Sequence, residues 1–439
     1  MDFDEIERAR GTVAKVATHT PLFNSRVLSA RLGSPVVLKA ENLQRTGSFK
    51  LRGATAKLAA LGAAGAGKGI VVASAGNHAQ AVAFAASAAG VPCEVFMPQD
   101  ASVSKAEAAA NYGAVVHLGG EAIEDCLSAA RAVSEKTGKA LIHPFDDEAV
   151  IAGQGTLGVE LAEDVPELAT AVVPLGGGGL AAGISLALSV LRPEVRVVAV
   201  QAASCAPWPA SLAAGRRIPV HGAPTLADGI AIGNPGDLAF PIVAEYVDEV
   251  VTVSEDEIAE AMVLLMERAK LVVEGAGAVG VAAVLSGRVA PAGEGTGAGA
   301  GGLTAVVLSG GNVDTGLLWP AIRRHETNAG RRLALFARVS DRPGQLARLL
   351  SCLGGSGANL VAVDHLREGF DLHVRETGVQ VVLETRNPEH AAAVVERARS
   401  EGFDVMLVGH AAGPPGSGSA GASEATAVPA PAHARAKTP

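Results

Sequence analysis

Residues 169–191 read ATAVVPLGGGGLAAGISLALSVL, and the folding of this stretch decides the class of the whole chain. It carries no charge and is long enough to pass for a membrane span. Pro174 and the four glycines Gly176–Gly179 cut it into two apolar runs, however. A lipid-embedded helix must bond all of its own backbone groups, which a proline and four successive glycines at its centre would prevent. A buried strand, a glycine turn and a buried helix account for every residue instead. A continuous apolar strand feeding a helix is the repeating unit of a parallel sheet covered on both faces.

That unit recurs along the chain. Apolar runs at 69–74, 92–98, 114–118, 171–175, 195–201, 249–253 and 303–309 alternate with Ala-rich helical stretches at 79–89, 103–111, 122–136 and 254–268. The pattern predicts an α/β fold with parallel sheets over residues 1–330. Of 439 residues 49% are hydrophobic, yet only 10 are Phe, 2 Trp and 2 Tyr against 53 Gly, so the core must be built from Ala, Val and Leu. The net charge of -9 excludes nucleic acid or an anionic membrane as the main partner. Cys93, Cys126, Cys205 and Cys352 show no CxxC spacing and read as reduced core residues. The acidic start MDFDEIERAR is unlike a secretory leader, which points to a cytoplasmic protein. Residues 288–302, RVAPAGEGTGAGAGG, read as a surface insertion.

After residue 330 the pattern changes to strand 332–339, helix 344–354, strand 358–365, strand 379–385, helix 388–401 and strand 403–408. This β-α-β-β-α-β order predicts a second, ferredoxin-like domain over 331–410. The tail 411–439 is Pro/Gly/Ala/Ser-rich and is expected to be disordered.

Four patches carry chemistry. In Thr46-Gly47-Ser48-Phe49-Lys50, Ser48 sits where an N-cap would, placing Lys50 in the first helical turn. A cation there opposes the helix dipole, which suits an amine that must lose its proton; a solvated surface lysine is the alternative. Ser74-Ala75-Gly76-Asn77-His78 opens a helix after a strand, and its N–H groups suit a carboxylate or phosphate, or it is a plain capped turn. In Gly176-Gly177-Gly178-Gly179-Leu180 the backbone must approach something closely, and a phosphate at the helix N-terminus is the usual reason. Ser309-Gly310-Gly311-Asn312 ends an apolar strand on the edge where parallel sheets bind ligands, or is a simple turn. Residues 62–69, GAAGAGKG, imitate a phosphate loop but lack its Ser/Thr and run from helix to strand. The histidines form no HxxxH or HxH pair, so no metal site is predicted.

Taken in order, TGSFK, SAGNH, GGGGL and SGGN resemble the fold-type-II pyridoxal-phosphate enzymes, and within them the threonine ammonia-lyase and serine racemase branch. The C-terminal βαββαβ unit, with Asp341-Arg342-Pro343-Gly344 opening its helix, resembles a single ACT-type regulatory domain. The resemblance implies a catalytic domain over 1–330, with a small lobe at about 46–152 and a large lobe from the remainder. It implies that Lys50 holds pyridoxal 5'-phosphate as an imine and later removes the Cα proton, while Phe49 lies against the ring and Asn77 bonds the ring hydroxyl. Gly176, Gly177, Gly178, Gly179 and Leu180 would hold the phosphate, and Ser309 would face the ring nitrogen. Ser74, Ala75, Gly76, Asn77 and His78 would bind the substrate carboxylate. The implied activity is conversion of L-threonine to 2-oxobutanoate and ammonia, with L-serine to pyruvate as a secondary reaction.

Two departures bear on the choice within the branch. Ala75 stands where racemases place a proton-donating serine, and Gln201 where their cation-binding glutamate falls, so racemisation and that metal are not expected. Glu274, in VVEGAGAVG, matches an acidic residue near the family's active site. The rival readings are a serine racemase/dehydratase and a non-catalytic amino-acid sensor. Further implied are a homodimer or homotetramer, and an amino-acid effector near Asp341–Gly344.

Overall fold

The computed structural model describes residues 1–291, 302–367, 372–408 and 428–429. They form two compact units that divide between Leu317 and Leu318, inside the helix Thr315–Asn328.

The first unit holds two sheets built from β1 (Leu22–Asn24), β2 (Val36–Lys39), β3 (Ile70–Ala73), β4 (Cys93–Met97), β5 (Val115–Leu118), β6 (Ala140–Leu141), β7 (Leu168–Pro174), β8 (Arg196–Ala202), β9 (Glu249–Val253) and β10 (Leu303–Val307). The smaller sheet has the order β5-β4-β3-β6 and is parallel throughout. The larger runs β1-β2-β10-β7-β8-β9, parallel except for β1 at one edge. Val428–Pro429 pair antiparallel with β9, and the rest of the tail expected to be disordered lies outside the described residues. The same holds for 292–301 of the expected insertion.

All seven residues of β7 are buried, as a strand covered on both faces requires. The uncharged stretch therefore divides into β7, the glycine turn and the helix Gly179–Leu191. No helix among the described residues is long and apolar enough to cross a membrane. The four cysteines are free and buried.

The second unit is a four-stranded antiparallel sheet of β11 (Arg332–Ser340), β12 (Asn359–Leu366), β13 (Glu376–Glu384) and β14 (Asp404–Leu407). Its order β12-β13-β11-β14 is that of a ferredoxin-like fold. Alternate residues Leu333, Leu335 and Ala337 of β11 pack with Leu349 and Leu353 of the helix Gln345–Gly354 and with Val394 and Ala398 of the helix Pro388–Ser400.

A buried ionic network ties the helix Lys50–Ala66 to its surroundings. Arg52, 1% exposed, donates from Nε and Nη2 to both oxygens of the fully buried Glu41 at 2.8 Å each, and from Nη1 to Glu160 at 2.6 Å. The buried Lys39 amine adds contacts to Glu160 at 2.8 Å and Asp164 at 3.2 Å. Burial alone would push the Glu41 carboxyl up, but Arg52, the Thr20 hydroxyl and Lys39 outweigh it and hold it below its usual range. A carboxyl lowered in the folded state stabilises the fold above the ordinary carboxylate range, and that contribution fades as pH falls. Replacing Arg52 by Leu leaves Glu41 buried with its main partner gone. The expected outcome is a loss of about 3–5 kcal/mol in urea unfolding at neutral pH.

Candidate active site

The ends of four parallel strands converge on one cavity of about 350 Å³ in the first unit. Ser74–His78 follow β3, Pro144 and Phe145 follow β6, Gly176–Leu180 follow β7 and Ser309 follows β10. This is the edge at which open α/β sheets take ligands. The residues that the resemblance assigns to the cofactor and substrate carboxylate line it: Phe49, Lys50, Ser74, Ala75, Gly76, Asn77, His78, Gly176, Gly177, Gly178, Gly179, Leu180 and Ser309.

Lys50 reaches the cavity because its segment is sewn to the end of β10. Ser48 pairs with Gly310 as an isolated bridge, the Phe49 N–H donates to the Ser309 carbonyl at 3.1 Å, and Asn312 Nδ2 donates to the Thr46 carbonyl at 2.8 Å. The cap differs from the sequence reading. The helix begins at Lys50 with Phe49 in the capping position, while Ser48 is spent on the bridge and its hydroxyl caps nothing.

The Lys50 amine donates to the Pro144 carbonyl at 2.7 Å and lies 5.1 Å from the Phe49 ring centre. Burial pushes its pKa down to about 8, against the opposing pull of Glu274. Near neutrality about a tenth of this amine is therefore free base, far more than an ordinary lysine offers. Glu274 stands at the N-cap of the helix Gly275–Leu285, yet its carboxyl turns to Asn77 Nδ2 at 2.7 Å. Burial, with Asp228 nearby, raises it to about 7. Burial first, then the Lys50 charge, brings His78 down to about 3, so its ring is neutral.

Two of the assigned side chains are more committed than their motif suggests. The His78 ring is bonded through Nε2 to the Ile142 carbonyl at 3.2 Å, which leaves its backbone N–H as the group free for a ligand. Asn77 Oδ1 already accepts from Asn312 Nδ2 at 2.7 Å, so only the second hydrogen of its Nδ2 remains.

The glycine turn has a double character. A methyl at Gly177 would fall 2.4 Å from the Phe145 ring, and one at Gly178 (φ +106°) 2.6 Å from the Trp208 ring. Side chains thus press on the turn from within the protein, and it is this packing that demands glycine. Among the described residues, the N–H groups of Gly176 through Leu180 have no protein acceptor. They open the thirteen-residue helix Gly179–Leu191, whose dipole adds to their pull on an anion. The donor set fits a phosphate, and the lowered amine in the same cavity fits an aldehyde.

Sequence reasoning missed Lys105, Pro144, Phe145, Asp228 and Ile230, which also line the cavity. Lys105 and Asp228 pair at 3.4 Å. Asn312 lies within the SGGN motif, which by itself assigns it no role. The segment 143–147 follows the two-residue strand β6, too short to leave a periodic signal, although Asp147 before an apolar run is a helix-start mark.

Residues 13–303 match the family model described as pyridoxal-phosphate dependent enzyme. An L-threonine ammonia-lyase of Thermotoga maritima is 43% identical over 409 residues, spanning 93% of this chain and 100% of that one. Two solved structures are similar to this chain over about three quarters of its length. The maize serine racemase has TM-score 0.69 and 36% identity, covering 74% of this chain and 98% of its own. A threonine deaminase from T.th. has TM-score 0.66 and 42% identity, covering 72% and 99%.

An amine with pKa about 8 should reveal itself chemically. Reductive methylation of ligand-free protein, followed peptide by peptide in a mass spectrometer, should reach half its limiting rate at Lys50 near pH 8, whereas ordinary lysines require roughly pH 10.4. Because the Glu274 carboxylate raises the Lys50 amine, Glu274→Gln should shift that midpoint to lower pH.

Proposed function

The chain belongs to the pyridoxal-phosphate-dependent enzyme family, and on that premise we propose that it is a lyase converting L-threonine to 2-oxobutanoate and ammonia, with L-serine to pyruvate as the slower reaction. The observation that carries this reading is the single cavity holding a lowered amine at Lys50 and five unclaimed N–H groups at Gly176–Leu180. Pyridoxal phosphate bound there supplies an aldehyde for the substrate amine and an electron-withdrawing ring that acidifies the substrate's Cα–H.

Lys50 carries the cofactor between turnovers, and its Nζ takes the Cα proton of the substrate. A pKa of about 8 suits that exchange, because the amine can both accept and return a proton near neutrality. Phe49 would hold the ring, the remaining Nδ2 hydrogen of Asn77 would be available to the ring hydroxyl, and Ser309 would offer the ring nitrogen a neutral hydroxyl. A neutral partner does not hold a proton there, which favours prompt loss of the β-hydroxyl over long storage of charge. Ser74, Ala75, Gly76, Asn77 and His78 bind the substrate carboxylate, chiefly through the backbone N–H groups of Ala75, Asn77 and His78, since those of Ser74 and Gly76 donate to the Phe96 carbonyl and the Ser74 hydroxyl. In the net reaction one water leaves across Cα–Cβ and one is taken up as ammonia departs.

The cavity wall includes Ile123, Ile230 and Ile232, apolar surface suited to the threonine methyl. Burying one methyl is worth about 0.8 kcal/mol, a roughly fourfold advantage in kcat/KM for threonine over serine. A racemase/dehydratase is the second reading. Ala75 speaks against it, since a methyl cannot return a proton to the far face of Cα.

The second unit is an ACT-like regulatory domain over 331–410, responding to a small branched amino acid near Asp341–Gly344. Its ferredoxin-like strand order and the full-length match to the Thermotoga maritima relative support that reading. The protein acts in the cytoplasm as a homo-oligomer.

Purified protein should be yellow and release 2-oxobutanoate from L-threonine, whereas Lys50→Ala should be colourless with turnover reduced about 10³-fold or more. Wild-type protein that stays colourless and inactive with added cofactor would favour the sensor. Chiral analysis with L-serine should find pyruvate in excess of D-serine, and Ala75→Ser should raise the D-serine share. Titration with valine or isoleucine should shift the turnover rate or Tm; constancy of both would remove the regulatory assignment.

A further inference from the structure

Trp208 is fully buried and does not line the cavity, yet it holds the back of the glycine turn. Its indole N–H donates to the Gly176 carbonyl at 2.7 Å. Its ring stacks on Phe240 with centroids 5.8 Å apart and occupies the space a side chain at Gly178 would need. Its own backbone N–H donates to Gln201 Oε1 at 3.1 Å, and Gln201 is itself fully buried. A second anchor follows one residue on. The Gly236 N–H donates to the Gly177 carbonyl at 2.9 Å, and Asp146 accepts the next two N–H groups, of Asp237 and Leu238, at 2.9 and 2.8 Å.

The consequence lies in the geometry of a trans peptide, in which C=O and the following N–H share one plane and point in opposite directions. Drawing the Gly176 carbonyl toward Trp208 turns the Gly177 N–H away from it. Drawing the Gly177 carbonyl toward Gly236 does the same for the Gly178 N–H. A glycine turn has no side chains to resist rotation of these planes, so it cannot fix its own donors. We infer that Trp208, seated by Gln201, is a positioning residue that aims the Gly177 N–H of the turn at the cofactor phosphate.

This inference rests on the reading of the turn as the phosphate site, and the test separates the two. Trp208→Phe keeps an aromatic ring over Gly178 and beside Phe240 but removes the indole N–H. Dissociation constants of cofactor-free protein for pyridoxal 5'-phosphate and for pyridoxal, which lacks the phosphate, are measured by absorbance titration. Wild type should strongly prefer the phosphorylated form. In Trp208→Phe the affinity for pyridoxal phosphate should fall about tenfold while that for pyridoxal stays unchanged, because hydrogen bonds to a charged group carry the difference. Equal weakening of both ligands, or an unaltered preference, overturns the positioning role. A wild type that binds both forms equally overturns the phosphate-site reading, and the inference falls with it. Should Trp208→Phe fail to fold, Gln201→Leu is read by the same ratio. That change removes a buried amide whose Nε2 has no partner, so folding should survive, and the preference should drop severalfold as the seat of Trp208 loosens.

Discussion

The hydrogen bond from Lys50 to the Pro144 carbonyl is the contact on which the site's geometry depends, because of what the neighbours of Pro144 do. Phe145 fills the space beside Gly177 and Gly179. Asp146 accepts the N–H groups of Asp237 and Leu238 behind the same turn. Asp147 caps the helix Glu148–Asp164 and pairs with Lys57 at 2.5 Å, on the helix that Lys50 begins. Lys50 and the glycine turn come from separate parts of the chain, yet both are referenced to the four consecutive residues Pro144–Asp147. The segment itself is locked by His143, whose Nδ1 accepts the Asp146 N–H at 2.8 Å. An accepting Nδ1 requires a ring that is not doubly protonated, and burial keeps the His143 pKa below its usual value.

Two cations in the first turn of one helix show how burial can have opposite results. Arg52 is buried against two carboxylates in matched fork geometry, and it remains charged. Lys50, two residues earlier, finds a carbonyl and a carboxyl that is itself raised to about 7. Desolvation then wins, and the amine moves toward neutrality. The ionic network fixes the helix so that the lysine need not be stabilised where it stands. Stability and reactivity are thus assigned to neighbouring residues.

The parallel-sheet architecture was legible because its strands declare themselves as short apolar runs, buried in the main but largely exposed in β5, and the observed β3, β4, β5, β7, β8, β9 and β10 fall on the predicted ones. The ferredoxin-like unit was legible from its strand and helix order alone. β1 and β6 leave no such mark, because two or three residues carry too little periodicity to separate them from loop. β2 is as long as β3 and β5 and as buried as β3, yet it lies outside the predicted runs, and its length does not explain why. At the site, the motif residues assigned to the cofactor and substrate line one cavity, while Thr46, Gly47, Ser48, Gly310 and Gly311 lie outside its lining. What the motifs could not convey is pairing across the chain. The Asn77–Glu274 contact joins residues 197 positions apart, and that of Asn77 with Asn312 joins residues 235 apart. No local pattern encodes such a separation. The Ser48 cap failed for the same reason, since its backbone answers to Gly310.

The tetraglycine run illustrates where a correct reading can rest on an incomplete reason. In the sequence, glycine there signals room for a ligand, yet the atoms that forbid side chains at Gly177 and Gly178 belong to Phe145 and Trp208. The requirement for glycine would persist in a protein that bound nothing. What marks the turn as an anion site is the set of N–H groups left without acceptors at the mouth of a helix, and these exist because the carbonyls of the same peptides are bonded behind. Removing side chains allows the packing, and anchoring carbonyls sets the donors. Only the second of these concerns the ligand, and it depends on Trp208 and Gly236, residues that lie well beyond the motif.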